Sequence, residues 1–148
     1  MRLVAAVAAG AFLASAFPVL AAPAGKPLIE IRAVGDCAAH PDGMLLPVPT
    51  DAGGCVARHA IVKGEDFVGM GHLRESGRDF LILTLSEPAR RHLYDVLGRQ
   101  SEKPVALLID GWVVATPVLW DRIRPASLQI SGINPFQIDR LVTRFRAK

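Results

Sequence analysis

Val-Ala-Leu-Leu-Ile-Asp-Gly-Trp-Val-Val-Ala-Thr, residues 105–116, is the stretch that decides the architecture of this chain. Two apolar, β-prone runs flank Asp110-Gly111. A two-residue Asp-Gly loop favours the type I′ turn, whose positive φ angles match the twist of a hairpin. The spacing predicts strands over 105–109 and 112–116, with Ile109 opposite Trp112, Leu107 opposite Val114 and Val105 opposite Thr116 on one face. The other face carries Ala106, Leu108, Val113 and Ala115. Both faces are apolar, so the hairpin is either covered on two sides or offers one side to a partner.

Downstream, Pro117 ends the second strand. Residues 119–123 are ambiguous between one helical turn and loop, and 128–130 read as a short strand closed by Ser131-Gly132. Asn134 caps a last helix, with Pro135 at its first position and Gln137 three residues after the cap. Ile138, Leu141, Val142 and Phe145 form its buried stripe. Upstream, 79–85 holds the run FLILTL and reads as a central strand, reached through a turn at 75–78. Ser86 is the N-cap of a helix that has Glu87 and Pro88 in its first turn and ends near Gly98. Its apolar stripe is Ala89, Leu93, Val96 and Leu97. Shorter strands are expected at 28–34, 56–62 and 66–73. Residues 35–54 concentrate Gly, Pro and Asp and read as a loop, with Met44, Leu45 and Leu46 tucked onto the core. The whole is one α+β domain: a mostly antiparallel, short-stranded sheet with two helices packed on it.

The chain has 148 residues, 51% of them hydrophobic and 21% charged, the profile of one globular domain. Part of the apolar excess lies at the N-terminus. Met1-Arg2 supplies a positive start, 3–17 is an uncharged run, Pro18 breaks it, and small residues follow. This predicts a secretory signal peptide over 1–21, cleaved after Ala21 because cleavage after Ala22 would place Pro23 first. A retained anchor is the competing reading, although the run is short for a spanning helix. No later segment is apolar enough to cross a bilayer. The expected organisation is then 22–54 as an N-terminal strand and stapled loop, followed by the main α+β unit over 55–148. Export implies a periplasmic or secreted protein.

Removing Arg2 leaves 16 basic against 14 acidic side chains, too even a balance to imply nucleic acid. Arg140, Arg144, Arg146 and Lys148 are explained by a helix C-terminus, where cations complement the carbonyl dipole. The two cysteines, Cys37 and Cys55, form a disulfide in an oxidising compartment and would staple the ends of the 35–54 loop. Two free thiols or half a metal site are the alternatives. A metal site, however, wants histidines at ligand spacing, and His40, His59, His72 and His92 are scattered singly.

Motifs that carry catalysis are missing from this sequence. It contains no P-loop, no Rossmann glycine pattern, no nucleophile elbow and no zinc-protease helix. Asp79, Asp110 and Asp121 are acids that could pair for acid–base work, but Asp110 is accounted for by its turn and Asp121 beside Arg122 by the surface. No cofactor is expected. Trp112 and Trp120 are the large aromatics able to anchor a ligand or peptide, against the competing reading that they pack in the core.

One ordered set of motifs resembles a known family. It runs through Ile61-Val62-Lys63-Gly64-Glu65-Asp66, then 81–85 leading into a helix, then 103–111 (KPVALLIDG). Val114-Ala115-Thr116-Pro117, Ile123 and Ile130-Ser131-Gly132-Ile133 follow, before the final helix. In this order the pieces resemble the head subdomain of the first periplasmic domain of the SecD/SecDF export subunits, over residues 59–144. The resemblance implies a head-like α+β fold with no catalytic residues and a role in engaging translocating polypeptide. Proton-driven work in those subunits depends on charged residues inside membrane helices and is not carried over. The expectation is an exported, non-enzymatic binding or accessory module that contacts polypeptide or an envelope protein through a sheet face or edge. The rivals are a periplasmic hydrolase built on a His/Asp pair and a structural or self-associating envelope protein.

Overall fold

The 105–116 hairpin forms as its sequence demands. In the computed structural model, which describes residues 25–50, 53–98, 104–119 and 126–147, β6 (Val105–Ile109) and β7 (Trp112–Ala115) pair antiparallel across Asp110 (φ 52°) and Gly111 (φ 83°). Every residue of β6 is buried. Its Val105, Leu107 and Ile109 face the main core, while Ala106 and Leu108 join a smaller apolar cluster on the opposite face. The hairpin is therefore covered on both sides of its inner strand.

The register is right at the turn and shifts beyond it. Ile109 lies opposite Trp112, but Leu108 opposes Val113 and Leu107 opposes Ala115, not Val114. The shift continues, since the Val105 N–H donates to the Pro117 carbonyl rather than pairing with Thr116. A bulge at Val114 explains both differences. An extra residue on one strand breaks the period-2 alternation, so Val114 and Ala115 both pack toward the main core.

Two sheets hold the described residues together. One has the order β2-β3-β1-β6-β7, built from β1 (Ile29–Gly35), β2 (Met44–Thr50), β3 (Gly53–Lys63) and the hairpin; the other is β4 (Phe67–Glu75), β5 (Arg78–Leu85) and β8 (Ser127–Ile130), in the order β4-β5-β8. All the strand pairs are antiparallel. A 3-10 turn, Gly64–Asp66, passes the chain from β3 to β4. The β4–β5 hairpin turns at Ser76 and Gly77, both at positive φ.

The helices sit where their caps place them. In α1 (Glu87–Leu97) the Ser86 hydroxyl accepts from the Ala89 N–H, and in α2 (Pro135–Arg146) the Asn134 side chain accepts from the Phe136 N–H. Both helices and both sheets contribute to one core. On α1 the buried set is Ala89, Leu93, Tyr94 and Leu97. Tyr94 takes the place expected of Val96, which is only half-buried. On α2, Ile138 and Val142 are buried, with Leu141 and Phe145 packed beside them. These features make an α+β fold with two helices on antiparallel sheets.

The 35–54 segment is not an open loop. Residues 44–50 form the edge strand β2, paired with β3, and β3 itself begins at Gly53. Pro47 and Pro49 disguise the strand in the sequence, but an edge strand tolerates proline because one of its sides needs no donors. Of the three apolar residues expected on the core, only Leu46 is buried; Met44 and Leu45 are exposed. Cys37 and Cys55 are disulfide-bonded, as expected, joining the end of β1 to β3. No helix among the described residues is long and apolar enough to cross a membrane. The expected signal peptide with its Ala21 cleavage site, the ambiguous turn beyond Leu119, and Trp120 and Asp121 lie outside the described residues.

Candidate functional site

β7 is an edge strand, and its outer side has no strand partner among the described residues. At its start stands Trp112, 78% exposed, so this indole is on the surface and not in the core. Beside it a cavity of about 470 Å³ opens between the hairpin and α2. Its walls are Ile109, Trp112 and Val114 on one side and Gln137, Arg140, Leu141 and Arg144 on the other, with Ile133 between them. A second cavity of about 440 Å³ continues along the same edge, lined by 114–118 and by Gln129, Ser131 and Gly132. Val114, the bulged residue, lines both. Bulges re-aim side chains beside sites in this way.

Asp110 anchors the α2 end of this groove. Its carboxylate accepts from Arg144 at 2.7 and 3.3 Å, and from the Leu28 backbone N–H at 3.0 Å. Arg144 also donates to the Gly25 carbonyl. The Arg144 guanidinium, helped by the Leu28 N–H, holds the Asp110 carboxyl below its ordinary value. Asp110 is thus more than a turn residue, and Arg144 more than a helix-end cation. Together they tie β6–β7, the start of β1 and α2 into one rigid corner. Arg140 is exposed and has no carboxylate partner among the described residues.

His72 is the histidine that finds acids. Its Nε2 lies 2.7 Å from Asp79 on β5, and its Nδ1 lies 2.7 Å from Asp139 on α2. A neutral imidazole has a single N–H to give, so two ionised carboxylates at this distance call for the imidazolium. The hydrogen bonds to Asp139 and then to Asp79 accordingly raise the pKa of His72 above its ordinary value. Such a ring is occupied on both nitrogens and cannot serve as a general base for a third group. The trio is a clasp between α2 and the β4–β5 hairpin. His40 and His59 line a shallow pocket of about 250 Å³ near the disulfide, and His92 is exposed on α1. Among the described residues no group of three His, Cys, Asp or Glu side chains is arranged to hold a metal.

The clasp has a pH signature with a definite sign. A histidine whose folded pKa exceeds its unfolded value stabilises fully below the unfolded value and loses that contribution as pH rises through the folded one. The wild type's resistance to urea should therefore fall as pH climbs through and above the ordinary histidine range. A His72→Gln variant should be flat over the same window. Parallel curves for the two proteins would show that the clasp contributes nothing.

No family model matches the chain, and no curated protein matches it by sequence. Its fold is shared by solved structures, including two of SecDF. One is of SecDF, a membrane component that enhances protein export, with a TM-score of 0.61 and 16% identity, over 82% of this chain and 63% of that one. The other is the crystal structure of SecDF in a super-membrane-facing form, with a TM-score of 0.60 and 17% identity, over 80% of this chain and 18% of that one. The chain thus spans less than two thirds of either structure's length. The head-like fold implied by the motifs from Ile61 to Ile133 is the fold observed.

Proposed function

We propose that this chain is an exported accessory module of the protein-export type, freed of residues 1–21 by cleavage after Ala21, that binds extended polypeptide along the outer edge of β7 without catalysing a reaction. The observation that carries this reading is Trp112, an exposed indole at the start of an edge strand whose outer side has no strand partner among the described residues, beside an apolar groove. An extended segment can add to such an edge through main-chain hydrogen bonds while its side chains fill the adjoining cavities. The other edge of the same sheet is less suited, because Pro47 and Pro49 interrupt β2. The fold shared with SecDF, a component that enhances protein export, and the Cys37–Cys55 disulfide support the same assignment.

Equilibrium binding of a reduced, alkylated, permanently unfolded polypeptide tests it. The wild type should bind, and Trp112→Ala should weaken binding by about tenfold or more, the effect of losing an aromatic anchor. Thermal stability should be unchanged, since the indole is largely in solvent. A wild type that binds no unfolded chain contradicts the proposal.

A further inference from the structure

The two cavities along β7 differ at their ends, and that difference carries information about what fits between them. From Trp112 to Val118 the edge offers room for about six extended residues at ~3.3 Å each. The floor is apolar at Val114, Ile133 and Leu141. At the far end the lining is neutral and polar, with Thr116, Gln129 and Ser131. At the α2 end it is charged, and the charges are not balanced. Asp110, the acid in that lining, is consumed by Arg144 and the Leu28 N–H, whereas Arg140 has no acid facing it among the described residues. A basic side chain arriving there would meet the Arg140 guanidinium and a carboxylate already holding three donors. An acidic one would meet a cation that has no acid partner among the described residues.

We infer that the groove prefers an extended apolar segment bearing an acidic side chain at the end that lies against α2, with Arg140 as its specificity-determining residue. This inference rests on the binding function proposed above and adds the chemistry of the ligand. The contact is solvent-exposed, so its share of the affinity is modest and sensitive to salt, and its main effect is selection among segments and setting their direction.

Three labelled peptides of alternating Val and Thr, identical except for Glu, Gln or Lys at one end, test it by fluorescence anisotropy against the purified protein. The Glu peptide should bind about fivefold more tightly than the Gln peptide, and the Lys peptide more weakly than either. The Glu advantage should vanish in 1 M salt, where the screening length falls to about 3 Å. In Arg140→Glu the order should invert, with unchanged thermal melting because Arg140 is exposed. Equal binding of all three peptides, or an order indifferent to Arg140→Glu, overturns the charge preference and leaves the binding function standing. Failure of every peptide to bind overturns both. Efficient dimer crosslinking through position 112 that excess peptide added beforehand does not suppress overturns the inference by assigning the groove to a second copy of the chain.

Discussion

Replacing Cys37 and Cys55 together by Ser will lower the stability of the domain by about 3 kcal/mol, the chain-entropy value for a loop of this length. The crosslink closes a separation of 18 residues. Opening it releases the unfolded chain from that constraint, which is where most of the effect arises. The folded state will also loosen locally. β2 lies at the sheet edge, pairs with β3 alone and is interrupted by two prolines, and only Leu46 of its first three residues is buried. Cys55, buried on β3 between Gly35 and Leu45, is the point where the covalent link meets the ladder. Against a typical total of about 5–15 kcal/mol, a loss of this size is large. In thermal denaturation the variant should melt roughly 10 °C below the wild type. Wild type treated with reductant should approach the same value. An unshifted midpoint would mean that the link spans a part of the chain that folding leaves unconstrained.

Leu83→Ala should cost as much or more, about 3–5 kcal/mol, from lost transfer free energy and the cavity left behind. Leu83 is wholly buried on β5, the central strand of its sheet, with Met70 and Leu128 opposite it on either side. A void there touches both edge strands and the shared core, and neighbours pinned by two ladders have little freedom to collapse into it. Val68→Ala supplies the contrast. Val68 is 61% exposed on β4, so its truncation should move stability by no more than about 0.5 kcal/mol. Urea unfolding of the two variants separates core from surface on the same hairpin. Equal effects would contradict the burial that the fold assigns to Leu83.

The parts of this structure that local chemistry dictates were legible in the sequence. The Asp110-Gly111 turn, the caps at Ser86 and Asn134, the stripe of α2 and the Cys37–Cys55 pair each depend on residues close together or on a simple count. What escaped depends on long-range geometry. A bulge leaves no mark on composition, so strict alternation places Val114 opposite Leu107, where Ala115 stands, although it pairs Ile109 with Trp112 correctly. β2 was hidden because proline signals a loop unless the strand is known to lie at an edge. Asp110 and Arg144 are 34 residues apart, and His72 and Asp139 are 67 apart; no periodicity links such positions. The candidate site was half visible. Trp112 stood out as a large aromatic, but only the fold shows that it is solvent-exposed on a free edge, with α2 as the opposite wall.

These features give the molecule a division of labour. The core and the disulfide hold two sheets and two helices in place, while the Asp110–Arg144 pair and the His72 clasp fix α2 against them from two directions. That helix is one wall of the groove. A rigid wall beside an edge with no strand partner among the described residues would keep the proposed binding surface preformed, so that ordering cost would fall on the incoming segment alone.

Amide hydrogen exchange on the protein with and without a saturating unfolded polypeptide reports on this arrangement at the residues concerned. Added protection concentrated on β7, with smaller changes at Ile133 and along the groove-facing side of α2, is the expected pattern. Protection gained on β2 or β4 in place of β7, or no change at any amide, would place the ligand elsewhere or nowhere and contradict the assignment of this edge.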